Sequence, residues 1–196
     1  MNGLDLYQTL QDEVTALQSF IRFDENHFMR ERCSDPQRLE DVIQTGEECL
    51  RSLDSGEKSE NVRDIVYGIV GNLYRINNQP AQAIELLERC VTRATEMNDF
   101  KRKAISFIRL AEAFKYADMH DLALETFDQA EEICHAHSLE NILEFVLQHK
   151  GKCLAEMGKL TEARASLDEA LEIRIRKQDP SLIESTKLAQ ESLLRV

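Results

Sequence analysis

Cys134-His135-Ala136-His137 is the one tight cluster of metal-type ligands in the chain. On a helix, side chains three or four residues apart share a face, so ligands two apart diverge. The stretch falls at an expected helix end, where a histidine complements the carbonyl-rich terminus. Glu131 and Glu132 are adjacent rather than convergent, which does not suit a paired acid and base. His149 stands alone on a helix and is expected to contact a partner or a neighbouring helix. Gly71 and Gly151 fall inside helical patterns, so no glycine loop cradles a phosphate. Cys33, Cys49, Cys90, Cys134 and Cys153 are odd in number, widely spaced and without a C-x-x-C pair, which points to buried thiols in a reducing compartment. We therefore expect no catalytic residue, no metal and no cofactor.

Composition narrows the partners. The 196 residues carry a formal net charge of −12, the wrong sign for a protein whose main partner is nucleic acid. No apolar run approaches the roughly 18 residues of a membrane span. Met1-Asn2-Gly3-Leu4-Asp5 lacks the basic-then-apolar layout of a secretory signal, so a cytoplasmic location is expected. The helix from Asp121 to Glu132 holds Asp121, Glu125, Asp128, Glu131 and Glu132 and no basic residue. It reads as a solvated outer face; its sharper reading is a dock for a basic partner.

The elements that position these residues recur. Tyr67, Val70, Gly71, Tyr74, then Ala83, Leu87, Cys90 is answered by Phe107, Leu110, Ala111, Phe114, then Ala123, Phe127, Ala130. Leu147, Lys150, Gly151, Leu154, then Ala163, Leu167, Ala170 completes the series. The step, Ala83 to Ala123 to Ala163, is 40 residues. Spacings of three and four mark helix faces, and a fixed step of this size marks stacked units. Short polar breaks at residues 77–80, 118–121 and 158–161 make each unit helix, turn, antiparallel helix. Pro80 suits a first helical turn, and Asp121 and Thr161 suit N-caps. Gly71, Ala111 and Gly151 face Ala83, Ala123 and Ala163, letting two backbones approach.

This pattern resembles the tetratricopeptide repeat over roughly residues 62–178. Lys150 departs from it where an apolar residue is usual, and Cys90 where alanine is usual. The step exceeds the roughly 34 residues of the standard repeat, as in long-period regulatory and adaptor types; the surplus is expected to lengthen helices and widen the links at 97–99 and 137–139. The fold expected is all-α, a right-handed α-solenoid of antiparallel helix pairs. Residues 1–58 would form a degenerate N-terminal pair, 59–180 three repeats (62–100, 101–140, 141–178), and 181–196 a capping helix.

In the flank, Leu39, Val42, Ile43, Gly46, Cys49, Leu50 and Leu53 read as one helix. Its partner would lie in residues 4–32, where Leu10, Val14, Leu17 and Ile21 form a heptad-like seam. That seam packs either on the first repeat or in a homodimer. Asp179-Pro180-Ser181 opens the last helix.

In the family resembled, partner peptides lie against the first helix of each pair. The matching positions here are Ile65, Gly68, Ile69, Asn72 and Arg75, then Ile105, Ile108, Arg109, Glu112 and Lys115, then Phe145, Gln148, His149, Lys152 and Glu156. The family's carboxylate clamp for chaperone tails is broken: Asn72 matches one asparagine, but Gly68, Arg109 and Phe145 replace the other members. Apolar and basic residues on one wall of an acidic chain would select a peptide with acidic groups. The competing reading is that a terminal helix folds over these positions. The expected function is a non-enzymatic module binding a protein or peptide in this groove. The alternative is a regulatory region controlling an output domain or answering a peptide effector; the chain ends soon after the capping helix, which favours the adaptor.

Overall fold

The structure is a computed structural model that describes residues 2–195. Helix α1 (Gly3–Leu17) leads through a 3₁₀ turn into strands β1 (Ile21–Asp24) and β2 (Arg30–Cys33), then α2 (Pro36–Ser52). Three helix pairs follow: α3 (Glu57–Ile76) with α4 (Pro80–Glu96), α5 (Phe100–Tyr116) with α6 (His120–Ala136), and α7 (Glu140–Glu156) with α8 (Leu160–Lys177). Helix α9 (Pro180–Ser192) covers the end of the stack, and each helix of the repeats packs on the next in sequence. The fold is an all-α solenoid of the expected kind with one addition, the β1–β2 hairpin.

Small residues set the contacts within each pair. A Cβ placed on Gly151 would meet Leu167 Cγ at 2.8 Å and the Ala163 carbonyl oxygen at 3.1 Å. On Gly71 it would meet Leu87 Cγ at 2.8 Å, with the Ala83 carbonyl farther off at 3.5 Å. Leu87, Phe127 and Leu167 are fully buried against these close approaches, each contributing about 2–3 kcal/mol of burial.

The backbone repeats at half the sequence period. Asn78, Asn98, Asp118, Ser138, Gly158 and Gln178 all adopt positive φ, between 51° and 73°, at an interval of 20 residues. Each ends a helix in the left-handed conformation that lets the next amides reach back to its last carbonyls. Met119 N–H, for instance, donates to Phe114 O at 3.0 Å and Lys159 N–H to Leu154 O at 2.9 Å. The links at 97–99 and 137–139 are thus no wider than the turns inside a pair, contrary to the sequence reading. The surplus length sits in the 17-residue helices α4 to α7. Asp121 and Thr161 lie in first turns, since Met119 and Lys159 hold the N-cap positions. Asp99 and Asp179 cap with their side chains instead.

The N-terminal seam is internal. Leu10 and Leu17 are fully buried with Leu39, Val42, Ile43, Val62, Val66 and Val70. The helix expected over 4–32 stops at Leu17, and Ile21 belongs to β1. Asp24 drives the hairpin turn: its side chain accepts the Asn26 amide at 3.1 Å and its carbonyl accepts those of His27 and Met29 at 3.0 Å each. Phe28 and Met29 complete the reversal at φ 47° and 60°, a conformation bulky side chains rarely take.

Candidate functional site: the inner wall and its hairpin

The first helices α3, α5 and α7 carry the wall positions read from sequence. The hairpin lies across their C-terminal turns. Arg30, on β2, donates to Glu156 at the end of α7 (Nε to Oε1, 3.0 Å), to the Asp118 carboxylate at 3.0 Å and to the Lys115 carbonyl at 3.0 Å. Glu31 forms an ion pair with Arg75 at the end of α3. The guanidiniums of Arg30 and Arg75 both sit over the Tyr116 ring, at 5.1 and 4.7 Å. Phe23 receives the Lys152 ammonium at 4.8 Å, and Phe28 packs by Leu154 and Ala155. It is the hairpin, rather than a terminal helix, that covers this lip of the groove.

Most of the expected partner-binding residues are thereby spent inside the chain. Lys115 is fully buried, 2.7 Å from Glu112. Burial alone would raise the Glu112 pKa, yet Lys115, His149 and Arg75 hold it well below the usual carboxylate range. His149 Nδ1 is 3.2 Å from Glu112 Oε1, and burial pushes its pKa down despite that partner. Asn72 Oδ1 accepts from Arg75 Nη2 at 2.8 Å, so it cannot offer that acceptor to a peptide backbone. Gln148 is held by α9: it donates to Ser185 at 3.1 Å and accepts from Thr186 at 2.8 Å. Lys152 is buried, with no carboxylate in ion-pair reach among the described residues. Burial, then Lys115, lowers its pKa to about 8.

What stays open is the middle of the wall. Asn72, Ile105, Ile108, Arg109, Ile142 and Phe145 line a pocket of about 520 Å³ that Glu31 and His149 close on the hairpin side. A second pocket of about 240 Å³, lined by Ile65, Gly68, Ile69, Cys90 and Arg93 among others, shares Ile105 and Arg109 with it.

The metal-type cluster does not converge. Cys134 is buried, His135 lies 3.7 Å from Glu131, and His137 stacks on Phe100 at 3.6 Å between ring centroids. Lys150, the departure from the repeat pattern, reaches back to Asp128 and Glu131 of α6 at 2.7 Å each. It supplies the cation the acidic helix lacks in sequence. Residues missed by the sequence reading are Arg30, Glu31, Tyr116 and the hairpin itself.

Residues 66–96 and 146–174 each match the tetratricopeptide repeat family. They span α3–α4 and α7–α8, in phase and two 40-residue steps apart. The chain carries tetratricopeptide repeats in these two helix pairs. The α5–α6 pair between the matches has the same turn geometry. Such repeats generally mediate protein–protein interactions and are not catalytic modules. No curated protein matches the chain. Among the described residues, no helix is long and apolar enough to cross a membrane.

Proposed function

We infer that this chain binds a peptide or protein segment in the open middle of its inner wall. The observation that carries the reading is the pocket of about 520 Å³ walled by Ile105, Ile108, Ile142 and Phe145. It keeps apolar side chains on a face where the hairpin has covered the rest. Apolar walls with a few polar groups are what a binding cleft offers. The function is adaptor-like and non-enzymatic, and the five free cysteines fit a reducing, cytoplasmic setting.

Selection of a random peptide display library on the whole chain tests this. Amide shift mapping with a selected peptide should perturb residues around Ile105, Arg109 and Phe145. Perturbations confined to the acidic outer face of α6, around Glu125 and Asp128, would place binding on the wrong side for this account.

A further inference from the structure

Two buried or half-buried cations of the inner wall, Arg109 and Lys152, have no carboxylate partner among the described residues; Lys152 lies against Phe23 of the hairpin and outside both pockets, whereas Arg109 lines both. Glu31 answers Arg75, Glu112 answers Lys115, and Asp64 answers Arg93 at 3.3 Å. Those are carboxylates that line either pocket, and each already has its cation. Arg109 has none. Among the described residues no carboxylate lies within ion-pair distance of its guanidinium, and its electrostatic neighbours are Cys90 and the like-charged Arg75. The side chain is held over Gly68, where a Cβ would come within 2.6 Å of Nη1. So the glycine leaves room for one guanidinium nitrogen to come up against α3.

We propose that Arg109 is the anion-recognition point of the groove and takes the carboxylate of an aspartate or glutamate within a bound segment. An apolar neighbour of that residue seats against Ile105, Ile108 and Phe145. This rests on the groove reading above and adds the chemistry of the partner. Three features support it. A guanidinium forms paired hydrogen bonds to a carboxylate that an ammonium cannot reproduce. A partly buried cation without a partner gains more from an incoming anion than an exposed one does. The groove also continues on both sides of Arg109, because both pockets share it. A segment crossing it therefore presents an internal side chain there rather than its C-terminal carboxylate.

The test uses C-terminally amidated peptides taken from the library selected on the wild-type chain. Those peptides should be enriched in an acidic residue next to an apolar one. Replacing that acid by its amide, or Arg109→Gln in the protein, should each weaken binding about tenfold or more. Making both changes should add little further loss, since each removes the same contact. Gly68→Ala serves as a second variant, because it displaces the guanidinium while keeping its charge, and it should weaken binding in the same direction. Peptides that map to the groove yet show no acid preference and no loss with Arg109→Gln would overturn this proposal and leave the groove reading intact. Acid preference that survives Arg109→Gln would assign the anion to another cation and overturn it as well. A library that yields no groove binder overturns both.

Discussion

The Tyr116 hydroxyl closes the outer edge of β2: it accepts the Glu31 amide hydrogen at 2.6 Å and donates to the Glu31 carbonyl at 3.2 Å. One phenol on α5 thus satisfies both backbone groups that an edge strand leaves exposed. The same residue carries Arg30 and Arg75 over its ring, so it is the seat of the hairpin on the repeats. Burial, followed by the carboxylates of Glu112 and Glu31, pushes its pKa upward, and it stays neutral through the physiological range.

Tyr116→Phe keeps the ring and removes the seat. Two backbone groups of Glu31 lose their partner, at a cost of about 1–2 kcal/mol. The Glu31 amide should exchange with solvent about tenfold faster or more, while amides in α6 and α8 hold their protection. Equal loosening across all helices would mean the hairpin is integral to the stack rather than laid upon it.

The array was legible in the sequence because its packing depends on residue size. Gly71, Ala111 and Gly151 recur with Ala83, Ala123 and Ala163, and larger side chains would not permit that approach. The 20-residue backbone period was hidden, because Asn78, Asn98, Asp118, Ser138, Gly158 and Gln178 share only a tolerance for positive φ. The hairpin was hidden more deeply. Its strands are four residues long, and its tip puts Phe28 and Met29 where glycine would be expected. Asp24-Glu25-Asn26 was the only turn signal. The wall positions named from sequence fall on α3, α5 and α7, but their pairing could not be read there. The carboxylate that meets Arg75 comes from Glu31, 44 residues away, and no periodicity in one sequence carries that contact.

The two close-packed glycines differ in what surrounds them. At Gly151 an added methyl meets a backbone carbonyl at 3.1 Å, which cannot give way as a side chain can. Gly151→Ala should therefore cost about 1–3 kcal/mol, even after the gain in helix propensity. At Gly71 the nearest atoms are those of the Leu87 side chain and the carbonyl is at 3.5 Å. There the propensity gain of about 1 kcal/mol should offset much of the strain. Denaturant midpoints should place Gly151→Ala below Gly71→Ala; the reverse order would contradict the packing described.

Lys152 makes stability depend on pH. In the folded chain its proton is lost near pH 8, with burial as the main cause and Lys115 and Arg75 adding repulsion against Glu112 and Glu31. In the unfolded chain it is lost near about 10.4. Between those values the unfolded state holds more protons, so stability rises with pH. The penalty is present in full below about pH 8. Lys152→Met should raise stability at pH 7 and lose the wild-type gain on the alkaline side. Parallel pH profiles for the two proteins would show that Lys152 is not buried as a cation.

The most direct test of the whole account is a crystal structure of the chain with a library-selected peptide. The account predicts the peptide across Ile105, Arg109 and Phe145, with Glu31 still on Arg75 and Tyr116 still on the β2 edge. A peptide bound on the outer face, or one that takes the hairpin's own place on Arg75 and Tyr116, would contradict it.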